Sequence, residues 1–259
     1  MPQAVDVPPR LAAKGLSKAF GHVQALRDVD IEVYAGEILA LVGDNGAGKS
    51  TLIKILSGAL QPDSGEIRID DQPVSFRNPI HAREHGIETV YQELAVVPIL
   101  EVAENLFLGR EVRMGGPLGR VLPFIDKRSM RNRAREHLRS LDIAIPSVRQ
   151  RADTLSGGQR QAVAVARAPV FGRDIVIMDE PTAALGVRET AAVMDVIRRI
   201  NERGLAIILI SHNLPQVLEL SHRIMVLRAG RRVGSVRTRE TGVEQVVRMI
   251  TGAEVMHTA

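Results

Sequence analysis

The chain has 259 residues, of which 45% are apolar and 25% charged, so it can bury the core of a large α/β domain. It contains no cysteine, which excludes disulfide bonds, cysteine-ligated metals and thiol catalysis. The formal net charge is only +4 and acidic residues are interspersed among the basic ones, so a solvated surface is favoured over an interface with nucleic acid or with an anionic membrane.

The first part of the sequence predicts a short lead, two strands and a helix. Residues 1–10 hold three prolines, which is typical of a disordered lead. Apolar residues alternate with polar ones over 29–33, which predicts a half-buried strand. The continuous apolar run Ile38–Val42 predicts a strand buried on both faces, and the apolar spacing over 52–56 indicates a helix.

The middle of the chain interrupts this pattern with a predicted helical insertion. A short helix at 81–85 and a strand at 87–91 come before it. The segment 92–151 then runs for about 60 residues, whereas an ordinary connection has roughly 2–6. It includes a loop at 115–117 and a basic helix at 127–139, whose cations either meet anionic lipid or are simply solvated.

Three further apolar strands alternate with helices in the rest of the chain. Helices are predicted at 162–168 and 187–203, and strands at 175–178, 205–210 and 224–227. Apolar strands separated by helices indicate a mostly parallel sheet covered on both faces. No segment resembles an apolar span of 18 residues, so attachment to a membrane would require a partner.

A glycine-rich string, GDNGAGKS, joins the buried strand to the helical pattern that follows it. Glycines permit close backbone approach and positive φ, so successive N–H groups can point at a phosphate beside a helix N-terminus. The lysine can bridge two phosphates, and the hydroxyls after it suit Mg²⁺ and a phosphate oxygen. The strand–loop–helix context favours this interpretation over a plain turn. The predicted nucleotide-binding residues are Gly43, Asn45, Gly46, Ala47, Gly48, Lys49, Ser50 and Thr51, with Ser50 also a metal ligand.

Four residues beyond the predicted strands carry groups suited to phosphate hydrolysis. Asp179 suits Mg²⁺, and the adjacent Glu180 can polarise the attacking water. His212 can contact the γ-phosphate and orient that water, and the Gln92 amide oxygen can reach Mg²⁺ or the water. Taken singly, an acidic pair is often a helix cap, and a His or Gln is often a plain loop residue. The nearby phosphate loop favours the catalytic interpretation.

A second phosphate-binding signal is the string LSGGQ, which opens a helix. Ser156, Gly157, Gly158 and Gln159 lie where a helix N-terminus presents its free N–H groups to an anion. Alone, the string would often be an ordinary capped helix. Because the loop at Lys49 already serves the phosphates of one nucleotide, a second such helix end indicates a γ-phosphate supplied by another chain.

Together these motifs resemble the ATP-binding subunits of ATP-binding-cassette (ABC) transporters, in the family's order and over about residues 11–252. The resemblance implies an α/β fold: a P-loop NTPase core of mostly parallel sheet, an antiparallel β subdomain and a helical insertion. It implies one ATPase domain at 11–252, with a helical subdomain at about 93–170 and a tail at 253–259. Family members stack adenine on an aromatic residue before the phosphate loop; Phe20 fits that place, with a core phenylalanine as the alternative.

Two stretches, VYQELAVVPILEVAENLFLGRE and DEPTAALGVRE, look like bacterial importers of ribose, xylose and fructose. Many such importers fuse two cassettes, whereas this chain has one. The aspartate usual in the family after the catalytic glutamate is replaced by Gly186, as is often so in this sugar group. That replacement puts in doubt any coupling role for a carboxylate at this position.

The resemblance implies ATP and Mg²⁺ as cofactors and a second ABC cassette, in a homodimer, as partner. It also implies permease subunits, a periplasmic or extracellular solute-binding protein acting through the permease, and a peripheral location on the cytoplasmic face of the inner membrane. No nucleic acid is expected. Alternatives are an ABC transport ATPase for branched-chain amino acids or lipids, a soluble ABC ATPase, and a regulator that binds nucleotide without turnover.

Overall fold

A computed structural model describes residues 8–91, 96–114, 124–171 and 174–253. Gln92 and the loop predicted at 115–117 lie outside the described residues, as do most of the predicted lead and tail. The chain divides into two compact units. Unit 1 comprises Met1–Thr89, Gly172–Glu180 and Asn201–Ala259, and unit 2 comprises Val90–Phe171 and Pro181–Ile200.

The described secondary structure consists of strands and helices that alternate over much of the chain. The strands are β1 (Leu11–Phe20), β2 (Val23–Val33), β3 (Ile38–Val42), β4 (Ser64–Ile69), β5 (Gln72–Val74), β6 (Ile87–Val90), β7 (Ile175–Asp179), β8 (Ala206–Ile210), β9 (Arg223–Arg228) and β10 (Arg231–Arg237). The helices are α1 (Lys49–Leu56), α2 (Pro79–Glu84), α3 (Val102–Leu106), α4 (Lys127–Ser140), α5 (Gly157–Phe171), α6 (Val187–Glu202), α7 (Leu214–Leu220) and α8 (Val243–Thr251).

The larger sheet has six strands in the order β10-β9-β3-β8-β7-β6. Strands β9, β3, β8 and β7 run parallel, and β10 joins antiparallel to β9. Strand β3 is buried along its whole length because its two faces enter different cores. Leu39 and Leu41 pack into one core with α1, and Ala40 and Val42 pack into the other with α7 and α8. The predicted mostly parallel α/β core is confirmed.

The smaller sheet is antiparallel, with the order β2-β1-β4-β5, which confirms the predicted antiparallel subdomain. The sequence pattern did not predict β1. Its pairing with β2 shifts register between Ala13 and Leu16 and again beyond it, and Gly15 has φ 64°. These irregularities break the apolar alternation by which a half-buried strand is recognised.

Helix α4 of unit 2 has one buried apolar face and one charged side. Met130, Ala134 and Leu138 recur every four residues on one buried face of α4. On its other side, Arg131 pairs with Glu101 at 2.7 Å, and Lys127 pairs with Glu104 at 2.8 Å. Part of the basic segment predicted at 127–139 therefore makes ion pairs within the fold.

The C-terminal segment contributes β10 and α8, neither of which the sequence pattern predicted. Helix α8 buries Val246 in the same core as Ala40 and Val42 of β3. It thus covers one face of the parallel sheet. Within the described parts of the chain, no helix has both the length and the apolar composition needed to cross a membrane.

Candidate functional site

Three parallel strands deliver the predicted site residues of unit 1 to one edge of the sheet. In the order β3-β8-β7, Leu41 is level with Ile210, and Ile210 is level with Asp179. Because the strands are parallel, the chain leaves all three at the same edge. The phosphate loop, His212 and Glu180 therefore follow their strands into one region.

The phosphate loop requires glycine at two positions for reasons of both conformation and space. Gly43 has φ 154°, and a Cβ there would collide with the carbonyl of Leu227 in β9. Gly48 has φ 101°, and a Cβ there would lie 2.6 Å from the carbonyl oxygen of Ala25 in β2. The loop is thus packed against β9 at Gly43 and against β2 at Gly48.

Lys49, the first residue of α1, places its ammonium group over the phosphate loop. Its Nζ donates to the carbonyl oxygens of Gly43 at 2.6 Å and Asp44 at 2.9 Å. Burial lowers the pKa of Lys49, while the charges of Glu180, Asp44 and Asp179 oppose that shift. Partial desolvation strengthens the attraction of this ammonium for an anionic phosphate, whereas the nearby carboxylates oppose it.

The remaining predicted residues of the loop differ in exposure. Asn45 and Ser50 are exposed, Thr51 is half-buried, and Ala47 is buried. The Ala47 carbonyl accepts from the N–H of Gly230, which anchors the loop to the β9–β10 turn.

Asp179 is the last residue of β7, and its surroundings disfavour the negative charge of its carboxylate. Burial raises the pKa of Asp179, and the neighbouring Glu180 raises it further, while Lys49 lowers it. Two carboxylates at one sheet edge leave excess negative charge there. The hydroxyl of Ser50 and the carboxylate of Asp179 are oxygen donors of the type that Mg²⁺ takes beside substrate phosphates. These residues fit a magnesium ion.

Replacing Asp179 by Asn is expected to raise the melting temperature by a few degrees at pH 7 to 8. The folded-state pKa of Asp179 is raised, so its contribution to stability is present below the ordinary pKa and lost as the pH rises through the folded pKa. Asn removes this ionisation. Thermal unfolding from pH 8 down to the acid limit of the folded protein checks the effect, which should shrink as the pH falls and wild-type Asp179 protonates.

Asp71→Asn provides the matched control, because Asp71 is exposed in the turn between β4 and β5. It should leave the pH dependence of the melting temperature unchanged. A lower melting temperature for Asp179→Asn than for wild type at pH 8 would show that the carboxylate stabilises the fold.

Glu180 and His212 form a hydrogen-bonded pair beyond β7 and β8. The Glu180 carboxylate is nearly buried, with 13% of its side chain exposed, whereas His212 is 78% exposed. Their separation is 2.9 Å between Nδ1 of His212 and Oε1 of Glu180. Because a carboxylate only accepts, Nδ1 carries the proton, and a neutral ring then presents Nε2 as an acceptor.

The backbone of Glu180 is held in an unusual conformation. Its φ is 51°, in the left-handed region, and its N–H donates to the Ile210 carbonyl of β8 at 3.0 Å. Such a conformation persists only where the surrounding structure fixes it, and it recurs at functional sites. Here it turns the carboxylate out of the strand direction of β7 and toward His212.

In unit 2, the LSGGQ string forms the start of α5 as a capping box. Ser156 Oγ accepts from the N–H of Gln159 at 3.2 Å, and the Gln159 side-chain oxygen accepts from the N–H of Ser156 at 3.1 Å. Gly157 and Gly158 are the first two residues of the helix, so no earlier helical turn provides an acceptor for their N–H groups. This end of α5 can receive an anion.

Phe20, the last residue of β1, has 50% of its surface exposed, and Lys18 Nζ lies 6.0 Å from the ring centroid. The ring is therefore available for stacking, unlike a core phenylalanine. Gln92, the remaining predicted site residue, lies outside the described residues.

Sequence reasoning did not identify the residues that pack against the phosphate loop, or the residue within it that affects the pKa of Lys49. Ala25 and Leu227 confine Gly48 and Gly43 from strands that are distant in the sequence. Asp44, within the loop, raises the pKa of Lys49. Its position in the glycine-rich string was the one sequence feature that could have identified it.

Comparisons with known proteins show which proteins this chain is similar to. A family model described as "ABC transporter" matches residues 26–183. The fructose import ATP-binding protein FrcA of Rhizobium meliloti is 50% identical, and the match covers 95% of both chains. The xylose/arabinose import ATP-binding protein XylG of Sulfolobus acidocaldarius is 44% identical, over 93% of both chains. The ribose import ATP-binding protein RbsA 1 of Rubrobacter xylanophilus is 44% identical over 95% of this chain, which spans 48% of that relative.

The solved structures to which this chain is similar include ATP-binding cassettes. An ATP-binding cassette of an ABC transporter, in its ADP conformation, superposes with a TM-score of 0.79 at 26% identity, covering 94% of this chain and 95% of its own. A dimeric ATP-binding cassette in a post-hydrolysis state, bound to ADP and Pi, has a TM-score of 0.72 at 25% identity, covering 88% and 99%.

Proposed function

The chain belongs to the ABC transporter family, and from this premise we propose that it is the ATP-hydrolysing subunit of a monosaccharide importer. The observation that carries the ATPase part is the meeting of the phosphate loop, Asp179 and the Glu180–His212 pair at one sheet edge. We further propose that 11–252 is one ATPase domain, with a helical subdomain at about 93–170.

Nucleotide binding is assigned to the phosphate loop and its neighbours. The N–H groups of the loop and the end of α1 would surround the phosphates, and Lys49 would neutralise them. Phe20 would stack on the adenine. Ser50 and Asp179 would hold Mg²⁺, with Gln92 as a further ligand. The bound ion would neutralise charge that develops on the phosphate oxygens.

Hydrolysis is assigned to Glu180 as the general base. Its carboxylate accepts the hydrogen bond of His212 and can accept the proton of an attacking water. His212 fixes the direction of that carboxylate through Nδ1, and the exposed Nε2 edge of its ring can contact the γ-phosphate or the water. The Glu180 backbone, tied to β8, keeps the carboxylate at the sheet edge.

We propose that two chains close head to tail over two ATP molecules. The N-terminus of α5, with Ser156, Gly157, Gly158 and Gln159, would receive the γ-phosphate bound to the phosphate loop of the other chain. A similar cassette has been solved as a dimer bound to ADP and Pi, which supports this arrangement.

The importer assignment rests on relatives whose names specify the import of fructose, xylose/arabinose and ribose. The first two match this chain over nearly their whole length, at 44% identity or more. We propose that the chain is bound to the cytoplasmic face of the cell membrane by permease subunits. A solute-binding protein outside the membrane would deliver the sugar to that permease.

The test is uptake of labelled pentoses and hexoses by source cells that lack the gene. Cells complemented with the wild-type gene should regain uptake of one monosaccharide, and Lys49→Ala should restore none, because it removes the ammonium that binds phosphate. Lys54→Ala is the control, since Lys54 is an exposed lysine on the same helix. Normal entry of every sugar in the deletion strain would contradict sugar import and favour another cargo.

A further inference from the structure

Two glycines in unit 2 are not explained by backbone conformation. Gly158 is the second residue of α5, and Gly186 directly precedes α6. Neither is among the described residues with positive φ. Glycine in a helix is less favourable than alanine by roughly 0.5–1 kcal/mol. The requirement for glycine at Gly158 is therefore steric. The atoms around Gly186 show whether the same is true there.

The side chain of Glu189 fills the space beside both glycines. A Cβ on Gly158 would lie 2.7 Å from Cβ and 2.6 Å from Cγ of Glu189. A Cβ on Gly186 would lie 2.5 Å from Oε2 of the same residue. These distances are far shorter than the 3.5–4.0 Å of favourable contacts between carbon atoms. One side chain therefore touches the start of α5 with its methylene groups and the segment before α6 with its carboxylate.

The segment before α6 is fixed to the helix by its backbone as well. The N–H of Thr190 donates to the Gly186 carbonyl at 2.9 Å, and Thr190 is buried. Glu189 lies in the first turn of α6, where a negative charge is favourable. Leu185 adds a contact at 3.9 Å from a Cβ position on Gly157. The starts of α5 and α6 thus meet around Glu189.

We propose that Glu189 is a positioning residue for the phosphate-binding end of α5. Its side chain fixes Gly158 against the Gly186 segment, so that the N–H groups of Gly157 and Gly158 keep one direction relative to α6. The side chain at Glu189 occupies the space that a larger residue at 186 would need. This assignment rests on the proposed function, in which that end of α5 receives the γ-phosphate of a second chain.

The first experiment measures steady-state ATPase rate and ATP-driven dimerisation, the latter in a Glu180→Gln background. Glu189→Ala should lower both by about tenfold, whereas Glu189→Gln, which keeps the length of the side chain, should stay within about twofold of wild type. Nucleotide binding to the monomer and the melting temperature should be unchanged in both. Glu202→Ala, at the opposite end of α6, is the matched control and should behave as wild type.

The second experiment is a double-mutant cycle between the two ends of the contact. Gly186→Ala would place its Cβ 2.5 Å from Oε2, the far end of the flexible Glu189 side chain, so the carboxylate would have to move away and ATPase activity should fall by up to about tenfold. Because both substitutions break the same contact, the double variant should lose no more activity than Glu189→Ala alone, rather than the product of two independent losses. This lack of additivity identifies a shared contact.

Several results would overturn the assignment. Glu189→Ala with wild-type dimerisation and hydrolysis would show that Glu189 positions nothing. Equal losses in melting temperature, monomer nucleotide binding and ATPase would reduce its role to fold stability. A double variant in which the losses of the two single variants multiply would exclude the contact. If wild type itself fails to hydrolyse ATP, the proposed function is wrong, and that failure is distinct from these three.

Discussion

Glu180→Gln is expected to lower the ATP hydrolysis rate by about 100-fold or more, because a general base contributes roughly 10²–10⁴-fold to such reactions. Gln keeps an oxygen that can accept the hydrogen bond of His212 Nδ1, so the geometry seen at 2.9 Å should persist. What it loses is the ability to take a proton from water. ATP binding and ATP-driven dimerisation should therefore remain, and the ATP-bound dimer should accumulate.

The measurement combines phosphate release with size-exclusion chromatography in the presence of Mg-ATP. Glu84→Gln is the matched control, since Glu84 is exposed at the end of α2, and it should hydrolyse ATP at the wild-type rate. Normal phosphate release by Glu180→Gln would show that another group is the base. Loss of ATP binding in the same variant would instead assign Glu180 a role in holding the nucleotide.

Much of the core could be predicted from the sequence because its signals are local. Strand β3 is a continuous apolar run, since both its faces are buried, and the glycine-rich string follows it directly. The ends of β7 and β8 carry Glu180 and His212, and parallel strands end at one edge whatever the details of packing. Motif and topology together therefore determine where these groups lie.

The features that sequence reasoning missed depend on contacts between distant segments. Strand β1 has register shifts that break its alternation, so periodicity does not reveal it. The confinement of Gly48 by Ala25, and the contact of Glu189 with Gly158, join residues that no local pattern relates. Gly186 is an example. The sequence shows that the usual aspartate is absent at this position, whereas the structure shows that the carboxylate of Glu189 lies beside it.

Gly48→Ala is expected to abolish ATP binding and to lower the melting temperature strongly. Positive φ in a non-glycine residue costs about 1–3 kcal/mol, and forcing an extra methyl group into a packed site costs about 1–3 kcal/mol more. The Cβ would lie 2.6 Å from the Ala25 carbonyl oxygen and 2.8 Å from Cδ2 of Leu26. Since β2 is held in the antiparallel sheet, the loop would have to move instead, and its N–H groups would lose their direction.

Gly46→Ala separates the two causes, because Gly46 shares the positive φ, at 80°, but has no atom within 4 Å of the Cβ position. It carries backbone strain alone, about 1–3 kcal/mol, whereas Gly48→Ala carries about 2–6 kcal/mol. At about 2–4 °C per kcal/mol, the melting temperature should therefore fall about twice as far in Gly48→Ala as in Gly46→Ala. Thermal unfolding without nucleotide compares the variants directly. Equal decreases would mean that β2 yields to the added methyl group, and that the phosphate loop keeps its shape through its own backbone rather than through β2.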